Sequence, residues 1–361
     1  MKRTPLAFLP LALVGLLTTP ASAKPTITSA NGTFSDGSTV VVGGSEFGSN
    51  ALKFEWTGDL IESTASGQVP QKAGWTFSSS WADNVAATDQ AHSGKKSVKN
   101  ELDDSSKYAA PIRFDSGADI PEHTWIFVSW WVRRTHAGNG QWKMFRINWQ
   151  SDIQDDYPQI VMFNWYNSNQ HFIRPGPGTE GNATADWSPP FPSKDDRWYR
   201  MDYTVHTSAL ATSDGSYTTT LFDPDGGSKL QEKAVDSAMS YFSGSRRYRW
   251  FLWQNYIGNG ETSQTTWTDD LFVQVGTRAR VEIGDASKWS ACTSREIQIP
   301  SAWSGSTITI SVNQGAFGSS DTAYLYVVAD DGSVNEDGFP ITFGGGTPIQ
   351  PPNAPSNLIV N

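Results

Sequence analysis

Short segments rich in β-branched and aromatic residues run through almost the whole chain, and turn-forming residues separate them. Clear examples are residues 124–134, 198–206 and 248–254. Segments of this kind, bounded by Gly, Asn, Asp and Ser, are typical of strands. The one stretch with a helical pattern is Lys229–Met239, which we interpret as a short helix. The chain is therefore predicted to be all-β, because strands at this spacing build sandwiches.

The N-terminus has the features of a secretory signal peptide. It begins with the basic Met1-Lys2-Arg3, continues with an apolar run from Leu6 to Leu17, and reaches the cleavage pattern Ala21-Ser22-Ala23. The run is shorter than the roughly 20 apolar residues that span a bilayer. We therefore expect residues 1–23 to be a signal peptide. We also expect a secreted protein, extracellular, periplasmic or at the cell surface, without a membrane span.

Composition narrows the classes of partner. The net charge is −10, which argues against nucleic acid as a ligand. The single cysteine, Cys292, allows no intrachain disulfide, and no His/Cys spacing indicates zinc. Sixteen tryptophans follow the signal peptide. An indole either fills a core or stacks on a flat ligand such as a sugar ring, so this number fits either use.

Two distant segments resemble parts of one small domain. Residues 25–49 resemble the opening strands of an IPT/TIG immunoglobulin-like domain. Residues 280–343, with SAWSGSTITISV and TAYLYVVADDGSVNEDGFPITF, resemble the rest of it. The resemblance implies a split Ig-like domain, residues 24–52 with 278–344. A domain of residues 53–277 would be inserted in it, and residues 345–361 would form a linker-like tail. Two independent β-domains in series are the alternative.

The inserted region has a resemblance of its own. FVSWWVRR (127–134), WYRMDYTV (198–205) and WTDDLFV (267–273) are similar to strands of the concanavalin A-like jelly roll. This sandwich occurs in laminin-G-like modules, legume-type lectins and several polysaccharide lyases. The resemblance implies an all-β jelly-roll sandwich, plus the small Ig-like β-sandwich, and a glycan groove on the concave outer face of one sheet.

Alternation along two segments assigns candidate residues to that face, because successive side chains of a strand point to opposite sides. In Gln141–Gln150, Phe145 and Ile147 are predicted to face the core. In Trp198–His206, the odd-numbered residues are predicted to face it: Tyr199, Met201, Tyr203 and Val205. Arginine can grip a carboxylate with two hydrogen bonds, and indoles can stack on sugars. The predicted substrate-binding residues are Trp142, Asn148, Gln150, Arg200 and Gln254. The alternative is a polar face that is merely solvated.

Cleavage by β-elimination needs a group that neutralises the uronate carboxylate, a base and an acid. Arg146 is the candidate that neutralises the carboxylate. His206, Tyr256 and His171 are the candidates for the base and the acid. The R-x-E-x-R and Q-x-H strands typical of alginate lyases of this fold are missing. No strand of the sandwich offers the alternating acidic pair that a retaining glycosidase needs. A hydrolase is therefore disfavoured, and lyase activity stays open.

One metal site is also predicted. Glu55, near the first strand of the jelly roll, and Asp270 or its neighbour Asp269, near the last, could hold a structural Ca²⁺ that ties the two ends together. The alternative is that both acids cap turns. No other cofactor is required. The sequence thus predicts a secreted protein that binds, and in one version cleaves, an extracellular polysaccharide, with an acidic polysaccharide as one candidate. A non-catalytic lectin and a structural or adhesive surface module are the alternatives.

Overall fold

Antiparallel strands make up most of the computed structural model. It describes residues 23–78, 84–102, 112–138, 141–151, 157–165, 168–176, 183–187, 195–242, 244–258 and 261–344. The strands are β1 (Thr26–Asn31), β2 (Thr39–Ser45), β3 (Phe54–Trp56), β4 (Trp75–Thr76), β5 (Val85–Ala87), β6 (Ser97–Leu102), β7 (Ile112–Asp115), β8 (Trp125–Gly138), β9 (Gln141–Asn148), β10 (Gln159–Trp165), β11 (Ser168–Arg174), β12 (Ala183–Trp187), β13 (Tyr199–His206), β14 (Gly215–Asp223), β15 (Ser228–Ala238), β16 (Trp250–Gly258), β17 (Glu261–Val275), β18 (Arg280–Gly284), β19 (Arg295–Trp303), β20 (Thr307–Ser311), β21 (Thr322–Val328) and β22 (Phe339–Thr342). A short helix, α1 (Gly58–Ser63), follows β3, and a 3₁₀ turn spans Trp289–Ala291. The chain is all-β, as its sequence predicts.

The first and last strands of the described chain belong to one sheet, here called sheet I, in the order β1-β2-β20-β19-β18-β21-β22. β2 pairs antiparallel with β20, so residues near the start of the chain join residues more than 260 positions later. Strand β19 contains a bulge between Pro300 and Ala302. Alternate residues of these strands, Val40, Val42, Ile308 and Ile310 among them, fill a separate hydrophobic core.

Two further sheets form a β-sandwich. Sheet II has the order β12-β11-β10-β9-β16-β7-β4, and sheet III has the order β15-β14-β13-β8-β17-β6-β5, with β3 also paired to β17. Their facing sides share one core of aromatic and branched side chains. Trp130 of sheet III packs against Phe145 of sheet II, with ring centroids 4.8 Å apart. This architecture is consistent with a concanavalin A-like jelly roll.

Part of the outer side of sheet III packs against sheet I. Phe127 and Phe272 of sheet III form a small apolar cluster with Ile297 of β19. Buried charged residues surround this cluster and are described below. The outer side of sheet II lies on the opposite side of the sandwich from this cluster.

The interpretation of Lys229–Met239 as a helix is wrong. These residues form most of β15, which pairs along its length with β14. Val235 lies opposite Tyr217 in this pairing, so β14 supplies inter-strand partners for backbone groups on the side of β15 that faces it. In the part of the chain that the structure describes, no helix is long and apolar enough to cross a membrane.

Candidate functional site

The arginines predicted to line one groove lie on different sheets. Arg146 is on β9 of sheet II, whereas Arg200 and His206 are on β13 of sheet III. The two sheets pack through their shared core, and the outward residues of each point away from the other. The expectation that these three residues share one face is therefore corrected. Alternation was right for β13, where Tyr203 and the other odd positions are buried in the core.

Arg200 is buried against sheet I and holds a network of charges. Its Nε and Nη2 donate to the two carboxylate oxygens of Asp202, at 2.9 and 3.0 Å. Nη2 also lies 3.1 Å from Glu282 of β18, and Nη1 donates to the backbone oxygen of Arg295. Burial lowers the pKa of Arg200, but the carboxylates of Asp202 and Glu282 outweigh it and raise that pKa. Arg200 thus joins the sandwich to sheet I and is not available to a ligand from solvent.

His206 ends β13 at one rim of sheet III. Its ring lies 4.5 Å from that of Trp125 and 5.9 Å from that of His123. Burial lowers the pKa of His206, and His123 lowers it further. The side chain is half-buried at this rim. It is therefore placed away from Arg146, on the other sheet.

Trp142 faces the core although alternation places it outside. Its side chain is only 2 % exposed, and the guanidinium of Arg134 lies 4.8 Å from its ring centroid. The cause is a β-bulge in β9: Met162 of β10 pairs with Phe145 and Phe163 pairs with Lys143, so Met144 has no partner. A bulge adds one residue and reverses the facing of all residues beyond it. The prediction that Trp142 stacks on a sugar is corrected for this reason.

Polar side chains gather on the outer face of sheet II. Arg146 donates from Nη1 to Oε1 of Gln159 at 3.1 Å. Arg113 and Arg174 lie on flanking strands of the same face, since Arg113 and Arg146 both pair with Leu252 and Arg174 pairs with Gln159. Arg146 and Gln159 are buried, while Arg113 and Arg174 are half-buried. This face is cationic and rich in amide groups.

An open cleft adjoins that face at the end of β9. Its volume is about 390 Å³, and we call it the arginine–tryptophan cleft. Its lining residues are Asp119, Trp149, Gln150, Ser151, Ser245, Arg246, Arg247, Arg249 and Trp250. The predicted Gln150 is among them. The buried Asn148 directly precedes Trp149 and pairs with Trp250, so the cleft continues into the outer face of sheet II.

The arginines of the cleft are arranged by different partners. Arg246 is exposed; its guanidinium lies 4.0 Å from the ring centroid of Trp149, and its Nη1 donates to the backbone oxygen of Tyr157 at 3.3 Å. Arg247 pairs with Glu122 at 2.7 Å, on the outside of the sandwich. Arg249 donates two hydrogen bonds to Asp115, at 2.6 and 2.8 Å. The cleft therefore presents one stacked guanidinium and two that are held by carboxylates.

Three predicted residues lie on strands of sheet II but cannot be described further. His171 is on β11, and Gln254 and Tyr256 are on β16, next to β9. Their side chains are outside the described residues. Their strands belong to the same sheet as Arg146, unlike that of His206.

The two predicted metal ligands have different surroundings. Glu55 lies 2.6 Å from the ammonium group of Lys72 and accepts a hydrogen bond from Trp75 Nε1 at 3.3 Å. Asp270 instead lies in a buried cluster with His92 and Glu296. The expectation of one calcium site built by Glu55 and Asp270 is corrected, because the lysine neutralises Glu55 and the bulge in β17 directs Asp270 toward sheet I.

Sequence reasoning missed most of the cleft. The run Arg246-Arg247-Tyr248-Arg249-Trp250 was a usable signal, because a basic and aromatic run is unusual in a chain of net charge −10. His92 and Glu296 gave no local signal. They come from segments far apart in the chain, and only the packing of sheet III on sheet I brings them together.

Comparison with known proteins yields similarity at the level of structure only. No family model matches the sequence, and no curated protein matches it. A crystal structure of an alginate lyase from Aplysia kurodai aligns with a TM-score of 0.41 and 10% identity over 52% of this chain and 86% of that one. An endo-β-1,4-glucuronan lyase from the fungus Trichoderma reesei aligns with a TM-score of 0.37 and 11% identity over 58% and 91%. A structure of botulinum neurotoxin type C aligns with a TM-score of 0.36 and 9% identity over 60% and 48%. Similarities at this level carry no information about ligand or activity.

Proposed function

We propose that this protein binds an acidic polysaccharide and that the glycan lies in the arginine–tryptophan cleft. The observation that carries the proposal is the exposed guanidinium of Arg246 over the ring of Trp149, in a cleft that the indole of Trp250 also lines. A guanidinium held flat on a ring keeps its N–H groups at the edge, where a carboxylate can accept two hydrogen bonds. The second indole offers an apolar surface that suits the flat face of a sugar ring.

The clustering of arginines supports the same ligand class. Three arginines and the carboxylate of Asp119 line the cleft, and Arg247 and Arg249 are paired with Glu122 and Asp115. The arginines concentrate N–H donors at one place in a chain whose net charge is −10. Clustered guanidinium groups can donate charge-assisted hydrogen bonds to the carboxylates of a polyanion. The cleft volume of about 390 Å³ also falls in the range of roughly 300–1,000 Å³ that small-ligand sites occupy.

In addition to binding, we propose that the protein cleaves the bound glycan by β-elimination. Arg146, or Arg246 in the cleft, would neutralise the uronate carboxylate and so acidify the proton at C5. His171 and Tyr256 are the candidates for base and acid, because their strands lie in the same sheet as Arg146. His206 belongs to sheet III and is not needed at this site.

The domain organisation and the export of the protein are also proposals. The pairing of β2 with β20 supports an Ig-like unit made of residues 24–52 and 278–344, with residues 53–277 as the inserted jelly roll. In this scheme sheet I is a spacer that presents the sandwich. Secretion rests on the sequence of residues 1–23, of which residues 1–22 lie outside the described part, and the tail 345–361 does as well.

Affinity electrophoresis through gels that contain alginate, glucuronan, heparin or pectin tests the binding proposal. At least one acidic polysaccharide should retard the protein, and Arg246→Ala should weaken the binding by about tenfold to a hundredfold. That loss is what one charge-assisted hydrogen-bonded pair contributes. Lys288→Ala is the matched control, because it removes one positive charge from the exposed surface of sheet I.

The outcomes separate the alternatives. Equal retardation of the wild type and of Arg246→Ala would show that the cleft is not the site. No retardation in any gel would overturn the polysaccharide proposal and leave a structural or adhesive module. Retardation with a rise in ultraviolet absorbance, from unsaturated uronates, would establish a lyase; retardation without it would establish a lectin.

A further inference from the structure

A buried cluster joins sheet III to sheet I at the bulge of β17. His92 Nε2 lies 2.8 Å from Glu296 Oε1, and Asp270 contributes a carboxylate oxygen. The three candidate ligand atoms lie within 4.8 Å of one another. Ligand atoms that share one ion, each about 2.1 Å from it, stand about 3–4 Å apart. The cluster is therefore close to the spacing of a three-ligand metal site.

Asp270 has an oxygen without a partner. Its side chain is 4 % exposed, and Oδ1 accepts a hydrogen bond from Ser93 Oγ at 2.9 Å. Oδ2 is buried and accepts no hydrogen bond from any described residue. Burial of a carboxylate oxygen without a hydrogen-bond donor destabilises the folded protein unless a proton or a cation compensates the oxygen. Glu296, which is also buried, adds a second negative charge to the same cluster.

The backbone is shaped to bring Asp270 into the cluster. A register shift in β17 falls between Asp269 and Phe272, and Asp270 has φ = +50°. A non-glycine residue in the left-handed region is uncommon, and a bulge of this kind re-directs a side chain. On the opposite side, a Cβ on Gly315 would stand 2.2 Å from Glu296, so only glycine leaves room for that carboxylate.

Surrounding residues hold the three side chains in place. Trp131 stacks on His92 with ring centroids 3.6 Å apart and donates from Nε1 to Glu296 Oε2 at 3.2 Å. Asp269 accepts hydrogen bonds from the backbone N–H groups of His92 at 3.0 Å and Ser93 at 3.3 Å. Such outer contacts fix the orientation of ligands in metal sites.

We propose that His92, Asp270 and Glu296 bind one divalent transition-metal ion of the Zn²⁺ type, which clamps sheet III to sheet I. One imidazole nitrogen with two carboxylates suits such an ion, whereas Ca²⁺ takes six to eight oxygen ligands. Two carboxylates balance the charge of the ion. The site is buried between two sheets, so its role is structural. It is separate from the arginine–tryptophan cleft and does not depend on the proposed glycan binding.

The test compares the chelator-treated full-length protein with the same protein after addition of Zn²⁺, Co²⁺ or Ca²⁺. Wild type should take up one equivalent of Zn²⁺ and unfold about 5 °C or more higher with it. Co²⁺ should give the visible absorption of a low-symmetry site with a nitrogen ligand, and Ca²⁺ should have no effect. Asp270→Asn keeps the shape of the side chain but should abolish uptake and the temperature shift.

Two controls keep the result interpretable. Asp270→Asn without metal should unfold at the same temperature as chelated wild type or higher, because it removes one of two neighbouring buried acids. Asp195→Asn removes another His–carboxylate pair, in which Asp195 lies 2.7 Å from His136, and should leave metal uptake unchanged. Absence of stoichiometric Zn²⁺ in wild type, or equal uptake by Asp270→Asn, would overturn the proposal.

Discussion

Glu282 is the side chain whose loss should most directly weaken the contact between the sandwich and sheet I. It is fully buried and lies 2.6 Å from Arg280 and 3.1 Å from Arg200. Arg295 Nε is 3.6 Å away. Glu282→Gln keeps the volume of the side chain but leaves these guanidinium groups buried with one negative charge fewer. We expect the variant to fold and to be markedly less stable than the wild type.

The magnitude follows from the pKa of Glu282. Burial alone would raise this pKa, but Arg200, Arg295 and Arg280 outweigh it and lower the pKa from 4.5 to about 2. A shift of this size corresponds to about 3 kcal/mol of favourable interaction for the charged form. Removal of one partner from a buried ion pair costs about 3–5 kcal/mol, which is the same order. We therefore expect a loss of about 3 kcal/mol at pH 7.

The dependence on pH has a definite sign. Since the folded-state pKa is depressed, the stabilisation by the carboxylate is complete above pH 4.5, the value for the unfolded chain. It declines as the pH falls from 4.5 toward about 2, where the folded protein also binds the proton. The difference in unfolding free energy between wild type and Glu282→Gln should therefore be largest at neutral pH and narrow below pH 4.5.

Urea denaturation, followed by tryptophan fluorescence, measures the difference. With a slope of about 3 kcal/mol per molar, 3 kcal/mol moves the midpoint by about 1 M urea. Glu122→Gln is the control, because Glu122 forms a partly exposed ion pair with Arg247 and should change stability by less than about 1 kcal/mol. A Glu282→Gln midpoint within error of the wild type at pH 7 would refute the reasoning, as would a difference that widens toward pH 3.

Two further substitutions probe packing, each by urea denaturation at neutral pH. Trp130→Ala should cost about 3–5 kcal/mol, because it empties a site in the sandwich core beside Phe145; a cost below about 1 kcal/mol would contradict that placement. Gly44→Ala should cost about 2–3 kcal/mol, since its Cβ would lie 2.0 Å from the backbone oxygen of Thr26 and would push β1 from β2. Gly37→Ala, with φ = +71° and open space around it, is the matched control and should cost only about 1 kcal/mol; a larger loss there than at Gly44 would contradict the steric explanation.

Local alternation in the sequence correctly predicted which side chains of a regular strand face the core. It failed where a bulge or the pairing with a distant strand determines the structure. The inward residues of β13, such as Tyr203, follow a period of two and are buried as expected. In β9, one extra residue at Met144 reversed the facing of Trp142, and no local pattern announces a bulge. For β15, the pairing with β14 overrode a helical pattern.

For the candidate site too, the sequence predicted local features but not the contacts between distant segments. Alternation correctly gave Arg200 an outward direction, but it could not show that sheet I would cover that face. Gln150 lines the cleft just beyond the end of β9, a strand that the sequence predicted. Asp270 was identified as a candidate ligand, yet its neighbours His92 and Glu296 come from other parts of the chain. Contacts of this kind arise from tertiary packing, which a single sequence does not record.

The order of strands in sheet I determines how the molecule carries mechanical load. β1 and β22 are the two edge strands of that sheet, and the strands of sheets II and III lie between β2 and β18 in the sequence. Where the chain passes between sheet and sandwich, Asn50 Nδ2 donates to the backbone oxygen of Ala279 at 2.7 Å, so the two crossings are tied together. Tension applied before β1 and after β22 is therefore borne by the strand pairs of sheet I. We expect the pairing of β2 with β20 to keep most of that tension from the chain crossings that lead into the sandwich.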